Sequence, residues 1–292
     1  MPFFSRFSGR PTCGSILIAL LLSGCASVPD DTEYTPLPTY EEKQEAPQVS
    51  KLDPATALQL SESVSELGAA PDGWQPWIIR RDKKRTAYTL TNKRVAEKPQ
   101  RVLHAVAKSA ASGLWVPMSV VARDSPVISW SWRTDAMIEG ADSSRPETED
   151  SPTRLILAFD GDFKKLPLRD QLVAETARMI LGRDMPYATL IYTWDTKQPA
   201  GTVIPNAHTG RIKKKVVESG AARTGKWLAY QRNYVQDYTE IFGEPPGKLL
   251  GVGVLTDTDN TRQNAEAWYG DIQLLTGNKA ALGELRGSTA ID

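Results

Sequence analysis

From Gly73 onward, apolar and polar residues mostly alternate along the chain. In "VISWSWR" (127–133), Ile128, Trp130 and Trp132 fall on one side and Ser129, Ser131 and Arg133 on the other. A period of two marks a strand with one buried face. "TAYTLT" (86–91) and "RVLHAVAKS" (101–109) alternate in the same way. Further strands are expected at 113–121, 153–159, 187–194, 214–218, 227–234, 249–255 and 267–275. Turn-forming runs separate them: Asp124-Ser125-Pro126, Asp160-Gly161-Asp162, Pro205-Asn206 and Pro245-Pro246-Gly247. About ten short strands joined by such loops predict a mainly β fold, a β-sandwich of jelly-roll type.

Three stretches carry a helical period instead. In "LRDQLVAETARMILG" (168–182), Leu168, Leu172, Thr176 and Met179 share one side. In "VQDYTEIFG" (235–243), Val235, Tyr238, Ile241 and Phe242 share a face, and Gly243 suits the exit. A short helix is expected over 53–68, where Asp53 can cap, Pro54 fits the first helical position and Gly68 the end. Leu60, Val64 and Leu67 would then pack on the main domain. The sandwich domain is placed at 69–277, with a tail over 278–292.

The N-terminal end differs in kind. Arg6 and Arg10 precede a compact apolar run, Ile16 to Leu22, which is too short to span a bilayer as a helix. It closes on Leu22-Ser23-Gly24-Cys25, which resembles the bacterial lipoprotein signal. That resemblance implies removal of residues 1–24, acylation of Cys25 and attachment to a membrane through the N-terminal lipid. Ala26, in place of Asp, favours the outer membrane on the same resemblance. Residues 25–52 carry Pro29, Pro36, Pro38 and Pro47 among several carboxylates and few large aliphatics. Such a segment cannot bury enough apolar area to offset its ordering entropy. It reads as a tether reaching about 25–30 Å. The chain has only 2 Cys, and Cys13 lies in the segment expected to be removed, so no internal disulfide is expected. Lys+Arg and Asp+Glu both number 35, so no basic excess points to nucleic acid.

Several runs together carry a family resemblance. "GWQPW" (73–77), "ISWSWR" (128–133), "RLILAFDGD" (154–162), "PYATLIYTWD" (186–195), "VVESGAARTGKWLAYQRNYVQDYTEIFGEPP" (216–246) and "GVGVLTDTDNTRQNAEAWYGDI" (251–272) resemble the bacterial DUF3047 family, a domain of unknown function. The resemblance implies an exported sandwich related to galactose-binding-like or carbohydrate-binding folds. It implies no established activity, and analogy of fold does not assign one.

Candidate chemistry centres on carboxylates and aromatics. A His-rich metal site, a Ser–His–Asp triad and a nucleotide loop find no support in the 2 histidines, His104 and His208, or in any glycine-rich motif. His104 alternates with Val102 and Val106 on a strand and reads as packed; His208 reads as a turn residue. "TDTDNT" (256–261) places Asp257, Asp259 and Asn260 close together. These hard oxygens suit turn capping, a Ca2+ ion, or direct ligand or catalytic use. Related sandwiches imply Asp271, on the last strand, as a further ligand of such an ion. A glycosidase would need two carboxylates about 5–9.5 Å apart. Trp194, Trp268 and Tyr269 are candidate groove aromatics, since sugars stack on rings beside carboxylate acceptors. The basic run in "RIKKKVVESGAAR" (211–223) suits edge-strand protection or contact with lipid phosphates. The favoured function is a non-catalytic envelope lipoprotein that binds a glycan or an envelope partner. The alternatives are a carboxylate-dependent hydrolase of surface polysaccharide and a structural subunit of an envelope assembly.

Overall fold

The computed structural model describes residues 52–182, 184–276 and 289–291. The signal 1–24, Cys25 and nearly all of the 25–52 tether lie outside the described residues. The strands are β1 (Gln75–Trp77), β2 (Ala87–Val95), β3 (Lys98–Lys108), β4 (Ala111–Val121), β5 (Val127–Thr134) and β6 (Ser151–Phe159). They continue with β7 (Ala188–Asp195), β8 (Val203–Pro205), β9 (Ile212–Ser219), β10 (Leu228–Asn233), β11 (Lys248–Asp257), β12 (Asn264–Leu275) and β13 (Thr289–Ala290). All ten expected strands are present. The three extra ones, β1, β8 and β13, are too short to show a period.

Two sheets form. One has seven strands in the order β1-β4-β11-β6-β7-β9-β8, the other six in the order β13-β10-β5-β12-β3-β2. All pairings are antiparallel except β7 with β9. The inner faces meet in one core, to which Ile128, Trp130, Trp132, Leu155, Leu157, Phe159, Val252 and Val254 all contribute. Trp130 stacks between Tyr192 (ring centroids 5.1 Å apart) and Tyr230 (4.9 Å). Such pairs add about 0.5–1.5 kcal/mol each beyond their buried area. This is the sandwich expected from the alternation.

The helices show how periodicity can mislead. α1 covers only Pro54–Ala57, capped by Asp53, which accepts from the Thr56 N–H at 3.2 Å. The chain then bends into a 3₁₀ turn, Leu60–Glu62. The predicted helix over 53–68 therefore does not form. Leu58 and Leu60 both reach full burial, two positions apart, which a continuous helix cannot arrange on one face. The Leu58 carbonyl also accepts from Ile272 N–H at 3.0 Å, and Val64 and Leu67 are exposed.

α2 (Leu168–Leu181) has the predicted span but the opposite orientation. Leu168, Leu172 and Met179 are 70%, 58% and 77% exposed. Val173, Ala174 and Ala177, on the smaller side, are half-buried. Polar contacts on that side hold it: Asp170 accepts from Thr209 Oγ1 at 2.7 Å and from Gly210 N–H at 3.1 Å. α3 (Tyr234–Phe242) behaves as expected, with Tyr238 buried, Val235, Ile241 and Phe242 against the core, and Gly243 closing it at φ 77°. The predicted tail, 278–292, is described only at its end, where Thr289 and Ala290 pair with Ala229 and Leu228.

Candidate functional site

The outer face of the seven-stranded sheet floors a cleft of about 420 Å³. Alternation puts one set of residues in the core and the other in the cleft. Along β6, Leu155 and Leu157 point inward and Arg154 and Ile156 outward; along β11, Leu255 and Asp257 face the cleft. The registers align these residues diagonally across the strands. Trp77 (β1) lies beside Gly113 (β4), Gly113 beside Leu255 (β11), and Leu255 beside Arg154 (β6). Ile156 then neighbours Ile191 (β7), and Thr189 (β7) neighbours Ile212 (β9). Loops raise the walls: 79–83, 146–149 and 259–260 at one end, 184–186 and 206–208 at the other.

Two half-buried tryptophans, Trp77 and Trp115, line one end, their ring centroids 6.0 Å apart and tilted by 42°. Glycines make room for them. A Cβ on Gly251 would lie 2.4 Å from the Trp115 ring, and one on Gly253 would lie 2.9 Å from Trp115 Cβ and 3.3 Å from the Trp77 ring. The rings therefore lie close over the sheet and leave a face toward the cleft.

The same end is polar. Asp257 is buried; its Oδ1 accepts from Ser151 N–H at 3.0 Å and its Oδ2 pairs with Arg154. Pro152 has no N–H to offer the ladder, and the register of β6 against β11 slips between Leu255 and Asp257. That slip sets the Ser151 N–H against the carboxylate. Burial pushes the Asp257 carboxyl up to about 7, against the pull of the Arg154 guanidinium. For Arg154, burial works downward, but Asp257 and Glu149 outweigh it and raise the guanidinium. Arg154 Nη2 also donates to the Glu149 carbonyl at 2.9 Å. The Glu149 carboxylate pairs with Lys214 at 2.8 Å, and burial with the nearby Arg154 charge lowers the Lys214 ammonium. Asp259 pairs with Lys83 at 2.6 Å.

Asp150 joins Asp257 and Asp259 in a group whose oxygens lie within 4.8 Å of one another. Asp150 accepts from Asn260 N–H (3.2 Å), Thr261 N–H (2.6 Å) and Thr261 Oγ1 (2.6 Å). Three hard oxygens at this spacing suit a hard cation, though Ca2+ takes six to eight. Arg154 and Lys83 already neutralise two of the three carboxylates, so an ion here would compete with Lys83 for Asp259.

The other expected site residues lie elsewhere. Asp271 does not share the acidic group: its carboxylate accepts from Ser61 N–H (2.7 Å) and Ser61 Oγ (2.6 Å), and so ties the N-terminal turn to β12. Trp194 is fully buried in the core, with Nε1 donating to Gly220 O at 2.9 Å. Tyr269 is buried too, its hydroxyl 2.8 Å from Thr256 Oγ1. Trp268 belongs to the other sheet, where it stacks on His104 at 4.9 Å under the Lys93 ammonium. None of the three is a groove aromatic. Asn260 does border the cleft, its Nδ2 donating to Pro146 O at 2.5 Å. His208 also lines it. The basic run is spent internally: Lys213 Nζ donates to Ile241 O, Lys214 pairs with Glu149 and Lys215 with Asp237.

A signal for the aromatics was present in the sequence. Gly113, Trp115 and Pro117 alternate against Leu114 and Val116, and Gly251 and Gly253 against Val252 and Val254. A bulky ring on one strand matched by glycines on the next is the pattern of a ring lying on a sheet. Only the pairing of β4 with β11 makes it visible.

Among solved structures, the chain is similar to the carbohydrate recognition domain of Emp47p, with 12% identity and a TM-score of 0.36, over 75% of this chain and 93% of that one. It is similar to Cellulose induced protein, Cip1, with 11% identity and a TM-score of 0.30, over 68% and 89%. The metal-free carbohydrate recognition domain of Emp46p gives 10% identity and a TM-score of 0.32, over 75% and 98%. No curated protein matches the sequence. Residues 72–273 match the family described as Protein of unknown function (DUF3047), and the chain belongs to that family.

Proposed function

We propose that the protein is a non-catalytic glycan-binding module and that the cleft is its binding site. One observation carries the reading: Trp77 and Trp115 are held half-buried on a glycine-flattened sheet beside paired carboxylates and cations. A sugar ring needs an apolar surface for its C–H face and donors and acceptors for its hydroxyls. Both are within one cleft. The test is retention on gels or beads carrying cell-envelope polysaccharide. Trp77→Ala and Trp115→Ala should each weaken binding about tenfold, since 1.4 kcal/mol is a factor of ten. Retention unchanged in both variants, at unchanged melting temperature, sinks the reading.

A carboxylate-dependent hydrolase is the second reading, favoured by Asp257, whose carboxyl is pushed up to about 7 within the cleft. Its oxygens are engaged by Ser151 and Arg154, which favours holding over proton transfer. Release of reducing ends from a retained polysaccharide, lost in Asp257→Asn, would establish it.

A Ca2+ ion on Asp150, Asp257 and Asp259 is part of the same proposal. Melting temperatures that do not differ between Ca2+ and EDTA remove the ion from it. The module is further proposed to be carried on an envelope membrane by a lipid on Cys25. Among the described residues no helix is long and apolar enough to cross a membrane. Palmitate labelling that survives Cys25→Ala would end that part of the proposal.

A further inference from the structure

The cleft's shape and charge say which glycans it takes. The inference rests on the glycan-binding reading above. Its lining runs from Trp77 on β1 to Ile212 on β9, five inter-strand steps along the sheet order. At about 4.8 Å per step this is roughly 24 Å, the length of several pyranose units and not of one. Between the ends the floor is aliphatic: Leu255, Ile156, Ile191 and Ile212. A chain lying there is gripped along its length.

The charges on the walls are already matched. Lys83 pairs with Asp259 at 2.6 Å, Lys214 with Glu149 at 2.8 Å, Arg80 with Asp82 at 2.6 Å, and Arg154 with Asp257. The last charged side chain of the described lining, Asp184, faces Arg178 at 3.9 Å. Asp150, the third carboxylate of the acidic group, is buried and held by Asn260 and Thr261 instead of a cation. Among the described residues, a uronate or an amino sugar would therefore meet no lining charge that lacks a partner, and desolvating its charge in such a cleft is costly. A neutral sugar meets no such cost. Its hydroxyls can use the spare lone pairs of the carboxylates and the spare N–H donors of Lys83 and Arg80. We infer that the cleft binds an internal stretch of a linear, uncharged polysaccharide, laid across the strands from the tryptophan end to Ile212.

The experiment is calorimetric titration of the chain at pH 8 with hexasaccharides. The neutral probes are α-1,4-glucan, β-1,4-glucan, β-1,3-glucan and β-1,4-mannan; the charged ones are oligogalacturonate and N,N,N-trimethylchitosan, whose quaternary amines stay charged at this pH. Disaccharides of the same series complete the set. At least one neutral hexasaccharide should bind ten-fold or more tighter than its disaccharide and than either charged hexasaccharide, with little dependence on salt. Ile212→Ala, at the end away from the tryptophans, should weaken that hexasaccharide about five-fold and leave its disaccharide unchanged. Preference for a charged hexasaccharide, or equal affinity for disaccharide and hexasaccharide, overturns this inference and leaves the glycan-binding reading standing. Binding of no probe, charged or neutral, overturns both. An Ile212→Ala variant that melts like the parent and binds the hexasaccharide equally well overturns the extended occupancy.

Discussion

Asp237 sits where α3 meets β9 and β10, and donors converge on it from three elements. Arg232 Nε and Nη2 donate at 2.6 and 2.8 Å, Lys215 Nζ at 2.6 Å and the Tyr192 hydroxyl at 2.7 Å. Burial works to raise this carboxyl, but these hydrogen bonds outweigh it and hold it below the usual range. A carboxylate whose folded pKa is lowered stabilises the fold above its ordinary value of 3.8. That contribution is lost as pH falls through the lowered value. Asp237→Asn should therefore cost about 2–3 kcal/mol at pH 7, below the roughly 3–5 kcal/mol for breaking a fully buried pair. The discount reflects Arg232, whose side chain is 29% exposed. Thermal melts should show the gap to the parent narrowing toward pH 3. A gap that is constant with pH would remove the charge from the explanation. Nothing local in "VQDYTEIFG" singles out this aspartate, because Lys215 and Tyr192 reach it from other elements. The candidate site shows the same limit. Asp257, Asp259 and Asn260 could be picked from one run, and they do border the cleft. Asp150 and Glu149 could not be picked, because they lie more than a hundred residues away in sequence and join the site only through the pairing of β6 with β11.

At the scale of elements, alternation located strands such as β2, β5 and β9 because each buries one face, which forces period two, whereas β6 is buried along its whole length and reads as an apolar run. The glycines on β11 show what alternation also hides. Gly251 needs no special backbone angle; it is there because the Trp115 ring occupies the space of its Cβ, 2.4 Å away. Gly251→Ala should displace that ring, lower stability by about 1–3 kcal/mol as overpacking does, and cut polysaccharide retention about tenfold. Tryptophan fluorescence reports the displacement. Retention intact despite a shifted spectrum would separate Trp115 from binding. Helix α2 is the opposite case. Its apolar positions gave the period correctly and the buried side incorrectly, because Asp170 and the small residues Ala174 and Ala177 decide which side packs. If Leu172 faces solvent as observed, Leu172→Glu should change stability by no more than about 0.5 kcal/mol. A loss of several kcal/mol in a urea melt would instead return the leucine to a buried face.

At the scale of the whole molecule, the sandwich extends beyond the stretch that carries the family's pattern. That stretch begins at residue 72, yet Leu58 and Leu60 are fully buried in the shared core. The segment is also bonded in. Trp74 Nε1 donates to Ala57 O at 2.8 Å, Ile272 N–H donates to Leu58 O at 3.0 Å, and Ser61 holds both oxygens of Asp271. Removing residues 1–71 would expose the two leucine sites at about 1.5–3 kcal/mol each. It would also leave the Trp74 indole and the Ile272 amide without acceptors, at about 1–3 kcal/mol for each group that stays buried. Against a total stability of about 5–15 kcal/mol this is a large fraction. A chain of residues 72–292 should therefore unfold at half the urea concentration of a chain of residues 52–292, or fail to fold. Leu58→Ala and Leu60→Ala in the full chain test the same idea without truncation, and each should cost about 2–5 kcal/mol. Equal urea midpoints for the two chains, with both substitutions neutral, would make the segment a surface attachment. The cleft would feel the loss indirectly. Trp74 stands three residues before Trp77, so the anchor that fixes one fixes the approach of the other to the sheet. Weaker retention of polysaccharide by the shorter chain, at a temperature where it remains folded, is the expected sign of that link.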